Sequence, residues 1–151
     1  MKARLNAFAA APKAMQALLN FGAEVEKAGL ERSLADLVKT RASQINGCAL
    51  CLNMHISEAR KTGESEERLY MLDAWREAPL YTDRERAALA WTEALTLVAE
   101  TRAPDEAFEA VKAEFTEEEL VRLTLLIGVI NVWNRVNVGF RALPMIAARA
   151  A

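Results

Sequence analysis

The sequence predicts an all-α protein, a compact bundle of about seven helices joined by short connections. Three observations carry this. Apolar residues recur at steps of three and four along most of the chain. Capping residues and glycine stops bracket those runs. No alternating apolar and polar stretch lasts long enough to support a sheet. With 151 residues, 52% of them hydrophobic and 26% charged, the chain reads as one domain over 1–151, long enough to bury a core.

Pro12 suits a first helical position, and Met15, Leu18, Phe21 and Val25 then make a stripe that Leu19 widens. Gly22 weakens this stripe and Gly29 closes it. Ser33 with Asp36 three residues on reads as a capping box, with Asp in place of the usual Glu. The helix it opens carries Leu34, Leu37 and Val38 and stops at Asn46-Gly47. A third helix starts near Cys48 and runs through Ile56 and Ala59 to Thr62-Gly63. A short one follows over 66–75, with Leu69, Leu72 and Trp75 on one side. Thr82 caps a helix from Asp83 to about Ala99, and Pro104-Asp105 opens a brief one to Phe115. Thr116-Glu117-Glu118-Glu119 is a capping box for the last and longest.

From Leu120 to Phe140 that last helix is apolar on nearly every side, through Leu123, Leu126, Ile127, Ile130 and Val138 among others. A helix of this kind is either central in its domain or covered by another subunit. The sequence favours a homo-oligomer, with a central core helix as the alternative. Asn131, Asn134 and Arg135 interrupt the surface and require partners in the backbone, in each other or in a neighbouring subunit.

A net charge of −2 argues against a nucleic-acid partner, which needs a basic face. No apolar run approaches the ~20 residues of a membrane span. The start has basic then small residues, but Asn6 and Pro12-Lys13 leave it short for a signal peptide. The expected location is cytoplasmic, where a close cysteine pair is catalytic or metal-binding and not a staple.

The chain's two cysteines and its single histidine fall within Cys48-Ala49-Leu50-Cys51-Leu52-Asn53-Met54-His55. At about 100° per helical residue, Cys48, Cys51 and His55 share an arc of roughly 60°. Two thiols one turn apart can close a disulfide, and an imidazole a turn further on can take a thiol proton. Cys48, at the helix start, gains from unpaired N–H groups and the macrodipole; Cys51 gains from His55 at i+4. Competing readings are two buried cysteines acting as small hydrophobes, or a zinc site completed by Asp36 or another subunit. His55 needs a group to hold its tautomer. Glu58, at i+3, reads as solvated, and Asp36 on the preceding helix is the candidate, unless it serves only as a cap. Glu93 reads as an exposed helix flank or as a second carboxylate near the site.

The segment from Leu37 through Ser43, Asn46-Gly47, Cys48, Cys51 and His55 resembles the alkyl hydroperoxidase D (AhpD)-like family of the carboxymuconolactone decarboxylase superfamily. The likeness continues through Glu58-Ala59-Arg60, Ala74-Trp75-Arg76, Glu85–Ala94 and Asn131-Val132-Trp133-Asn134-Arg135, covering roughly 15–145. It implies an all-helical fold assembled as trimers or hexamers. It also implies a thiol peroxidase in which Cys51 attacks a hydroperoxide and becomes a sulfenic acid, and Cys48 condenses with it to a disulfide. A dithiol reductant of lipoyl or thioredoxin type, meeting Cys48 first, reopens the bridge. No metal, haem or flavin is implied. The family's relay glutamate, twelve residues before the first cysteine, falls on Asp36, one methylene shorter. The ring-bearing residue before the second cysteine is here Leu50. Other members suggest a redox-sensing or binding module with the disulfide as switch. The superfamily name also suggests lactone decarboxylation, but the decarboxylases proper lack the cysteine pair.

Overall fold

The computed structural model describes residues 2–27 and 29–144. They form helices α1 (Ala7–Ala10), α2 (Pro12–Glu26), α3 (Arg32–Ile45), α4 (Ala49–Lys61), α5 (Glu66–Tyr70), α6 (Asp83–Thr96), α7 (Val98–Thr101), α8 (Asp105–Glu114) and α9 (Glu117–Phe140), with a 3-10 turn at Leu72–Ala74. No strand occurs among the described residues. The all-α expectation holds, and each of the expected helices is present.

Local chemistry explains most boundaries. Pro12 opens α2, and Thr82 and Thr116 close complete capping boxes with Glu85 and Glu119. The box expected from Ser33 and Asp36 does not form. The N-cap of α3 is Glu31, with no side-chain cap bond, so Asp36 lies more than a turn inside the helix and is fully buried. Two expected helices are each divided. The segment over 66–75 ends its α-turns at Tyr70 and tightens into the 3-10 turn, and α6 stops at Leu97 (φ −101°, ψ 29°) before the single turn of α7. The turn α1 carried no periodic signal; the Asn6 side chain caps it by accepting from the Ala9 N–H.

Helices α3, α6 and α9 meet at the centre. Leu34 and Val38 of α3, Ala88 and Trp91 of α6, and Leu123 and Ile127 of α9 share a core that Val111 of α8 and Phe115 complete. Trp91 satisfies its indole by donating to Thr124 Oγ1 at 3.0 Å. A second cluster joins Leu37 and Leu89 to Leu72, Trp75 and Tyr81. The 24 residues of α9 reach a mean hydropathy of 1.3 in an 18-residue window, long and apolar enough to span a membrane by length and composition alone. Arg122, Asn131, Asn134, Arg135 and Asn137 interrupt the helix, so it holds no unbroken apolar run of that length. In the fold α9 buries one face, with Leu123, Ile127 and Ile130, and leaves Val121, Leu125, Val132 and Val138 exposed.

Leu123 is 0% exposed at the crossing of three helices. Leu123→Ala should therefore lower the unfolding free energy by about 2–5 kcal/mol, read from urea denaturation.

Candidate active site

The site begins where α3 ends. Gly47 takes a left-handed conformation (φ 63°) that a side chain would strain, reversing the chain so that α4 can start at once. The Cys48 N–H donates to the Ser43 carbonyl at 3.0 Å. The Asn46 amide donates to Asn131 Oδ1 (3.0 Å) and Asn134 Oδ1 (2.9 Å) on α9. Asn134 donates back to Ser43 Oγ (3.1 Å), and Asn131 to Thr96 Oγ1 (3.0 Å) and the Ile127 carbonyl (2.9 Å). Arg135 donates to Asn131 Oδ1 at 2.8 Å. The polar residues that interrupted the greasy helix thus find their partners within the chain.

Cys48 is the N-cap of α4, its sulfur accepting from the Cys51 N–H at 3.4 Å. Cys48 and Cys51 are joined as a disulfide, with Cα atoms 5.4 Å apart. Both are buried, at 1% and 0% exposure. They are not equivalent. Cys51 forms part of the wall of a cleft of about 570 Å³, and Cys48 does not. Cys51 Sγ also accepts from Asn137 Nδ2 at 3.4 Å, a donor 86 residues further along the chain.

The cleft has an apolar wall from Leu19, Met54, Leu126, Val129 and Trp133, with Phe8 stacked on the Trp133 ring at 6.3 Å. Gly22 of α2 faces α9 there, where a Cβ would make ordinary contact with Val129 Cγ1 at 3.4 Å. Glu26, Arg32, Lys39, His55 and Glu58 supply its polar side.

His55 is 6% exposed, and its Nδ1 has no hydrogen-bond partner. The nearest carboxylate oxygen is Glu58 Oε2, at 3.6 Å. Asp36 is committed elsewhere. Arg32 Nε reaches both its oxygens (3.2 and 3.0 Å), and Lys39 Nζ lies 3.2 Å from Oδ1. Lys39 Nζ also donates to Glu26 Oε1 at 3.0 Å. Asp36 therefore makes no hydrogen bond to His55 among the described residues. Burial pushes the His55 pKa below its ordinary 6.5, and the Lys39 ammonium adds to this, while Glu58 and Asp36 oppose it.

Sequence reasoning found Cys48, Cys51 and His55 and missed two neighbours. Glu58, which reads as solvated from its place in the sequence, is half-exposed and also stands at i+3 from His55, 3.6 Å from its ring. Asn137 continues the three-residue step of Asn131 and Asn134 on α9. Glu93 is neither at the site nor free, since Arg41 (2.9 Å), Arg76 (2.6 Å) and the Trp75 indole (2.8 Å) all donate to it. Among the described residues, no group of three or more His, Cys, Asp or Glu side chains is placed to hold a metal ion.

A helical pair of cysteines with a histidine a turn beyond, set against a long apolar last helix, defines a class. The chain belongs to the Carboxymuconolactone decarboxylase family, whose model matches residues 12–94. It is 40% identical over 138 residues to the uncharacterized protein YdfG of Bacillus subtilis (strain 168), covering 91% of this chain and 94% of YdfG. Among solved structures it is similar to ATU0492 of Agrobacterium tumefaciens, a protein of unknown function suggested to be the antioxidant defence protein AhpD. The two share 46% identity at a TM-score of 0.94, over 97% of this chain and all (100%) of that one. An uncharacterized peroxidase-related protein of Ralstonia eutropha JMP134, described as an alkylhydroperoxidase AhpD core, shares the fold at a TM-score of 0.79 and 18% identity, over 91% of this chain and 73% of its own. The chain is thus AhpD-like, in a family named for an enzyme, and its bonded cysteines fit a redox role.

As the chain's single histidine, His55 gives one imidazole resonance, which in the oxidised protein should titrate below 6.5. The sign for stability follows. The unfolded chain takes up a proton that the folded one resists, so this contribution is full above pH 6.5 and is lost as pH falls below it. His55→Asn should remove that part of the pH dependence of denaturation. In the reduced protein, Asn137→Ala should slow alkylation of Cys51 by iodoacetamide at neutral pH by about threefold to tenfold, because a donor to the thiolate is lost.

Proposed function

We propose that the chain is a thiol peroxidase that reduces hydroperoxides through a Cys51/Cys48 dithiol–disulfide cycle. One observation carries the reading: Cys51 and His55 line the same apolar cleft, and Cys48 stands behind Cys51 at bonding distance. His55, neutral at rest, takes the Cys51 thiol proton. The thiolate attacks the terminal oxygen of ROOH, the O–O bond breaks, and the alkoxide leaves as ROH with the proton held by His55. Cys51 is then a sulfenic acid. Cys48 attacks its sulfur, water departs and the disulfide forms. A dithiol of lipoyl or thioredoxin type restores both thiols through a mixed disulfide. Asp36 serves the cycle by holding Lys39, whose charge bears on the ring. The cycle uses no bound cofactor. The exposed apolar flank of α9 supports assembly with further copies of the chain.

The lining and size of the cleft support a bulky organic hydroperoxide over hydrogen peroxide. The burial of both sulfurs favours a second reading, a redox switch that closes once and is reopened slowly. Turnover separates the two. With excess dithiol, the wild type should consume many equivalents of cumene hydroperoxide, with kcat/KM at least about tenfold above that for hydrogen peroxide. Cys51→Ser should consume none. Cys48→Ser should consume a single equivalent and retain a sulfenic acid trappable by dimedone. Full turnover by Cys51→Ser overturns the reading, and a wild type that oxidises once without cycling favours the switch.

A further inference from the structure

We propose that Glu58, and not Asp36, is the carboxylate that orients His55 and offsets the charge of its imidazolium. The catalytic consequence rests on the peroxidase reading above; the pairing itself does not.

Three charged groups bear directly on the ring: Asp36 and Lys39 from α3, and Glu58 from α4 itself. Asp36 is saturated. Both its oxygens accept from Arg32, and one also faces Lys39 Nζ. Its carboxylate, 0% exposed, is turned to those two cations and makes no hydrogen bond or ion-pair contact with His55. Glu58 is the carboxylate that faces the ring. Its carboxylate has no other ion pair or side-chain hydrogen bond among the described residues, and its oxygen is the near neighbour of an otherwise unpartnered buried Nδ1, at 3.6 Å. A small side-chain rotation closes that gap to a hydrogen bond of ordinary length.

The consequence is a defined tautomer. With Nδ1–H donated to Glu58, the ring presents Nε2 as its unprotonated, basic atom. When the thiol proton moves from Cys51 Sγ to Nε2, the Glu58 carboxylate meets the imidazolium charge from the opposite side. The same proton then passes to the departing alkoxide. Glu58 is 41% exposed at its side chain, so its carboxylate stays in contact with water while it faces the ring. Glu58 is thus a positioning residue for His55 and touches no reacting atom.

The test is 15N NMR of the one histidine in wild type and three variants, combined with peroxide kinetics. The wild type should show the Nδ1–H tautomer. Glu58→Ala, a change at a half-exposed helical position that keeps the fold, should revert it to Nε2–H and lower kcat by about tenfold or more with KM little changed. Glu58→Gln keeps an acceptor but no charge; it should hold the Nδ1–H tautomer, titrate lower than wild type and still lose most of kcat. Asp36→Asn should lose stability and keep the tautomer. Retention of Nδ1–H by Glu58→Ala, or its loss in Asp36→Asn, overturns the proposal. If the wild type turns over no peroxide, the peroxidase reading fails while the tautomer still reports whether Glu58 holds the ring.

Discussion

A knot of amides, where α3 ends and α9 passes behind it, sets the position of everything else in the site. Asn46 bridges two asparagines of α9, Asn134 returns a bond to Ser43, and Arg135 anchors Asn131 from outside. Asn131 and Asn134, the knot's buried amides, are each costly to leave alone, about 1–3 kcal/mol if the partner is lost. The knot is therefore satisfied as a unit or not at all. Satisfied, it fixes the last turn of α3 against α9. That leaves Gly47 to reverse the chain in one residue and brings the Cys48 N–H under the Ser43 carbonyl. The helix bearing both sulfurs and the imidazole thus starts at a place chosen by amides that never touch the chemistry. One turn beyond Asn134, the same stripe ends in Asn137, which does touch it through Cys51 Sγ.

The local half of this arrangement was legible in the sequence. Cys48, Cys51 and His55 share one short helix, so helical spacing alone placed them together, and the stop at Asn46-Gly47 marked where that helix begins. What resisted reading were side chains with a choice of partners. Ser33 and Asp36 have the spacing of a cap, yet Glu31 begins α3, and the carboxylate turns inward to Arg32 and Lys39. Periodicity reports which residues share a face, not which of several cations a carboxylate will prefer. Likewise, the greasy face of α9 could not be divided by pattern into the side that meets α3 and α6 and the side left open. Apolar residues occupy both, and only packing distinguishes Leu123 from Val121.

The charges beside His55 make physical sense once Lys39 is taken as their centre. Its side chain is only 6% exposed, and an ammonium so sheltered persists only with anions close by. Asp36, a turn earlier on the same helix, and Glu26 on α2 supply them. The ammonium then stands near the imidazole and, with burial, disfavours its protonation. A base must be empty before it can accept, and this arrangement keeps the ring empty at neutral pH. It also accounts for an aspartate where the resembling family has a longer acid. A carboxylate that must cross to α4 needs reach, whereas one that bridges side chains four residues before and three residues after it on its own helix does not. The missing methylene is then no defect. On the proposed pairing, the negative charge that meets the imidazolium comes from α4, one turn past the histidine, where Glu58 Oε2 lies 3.6 Å from the ring.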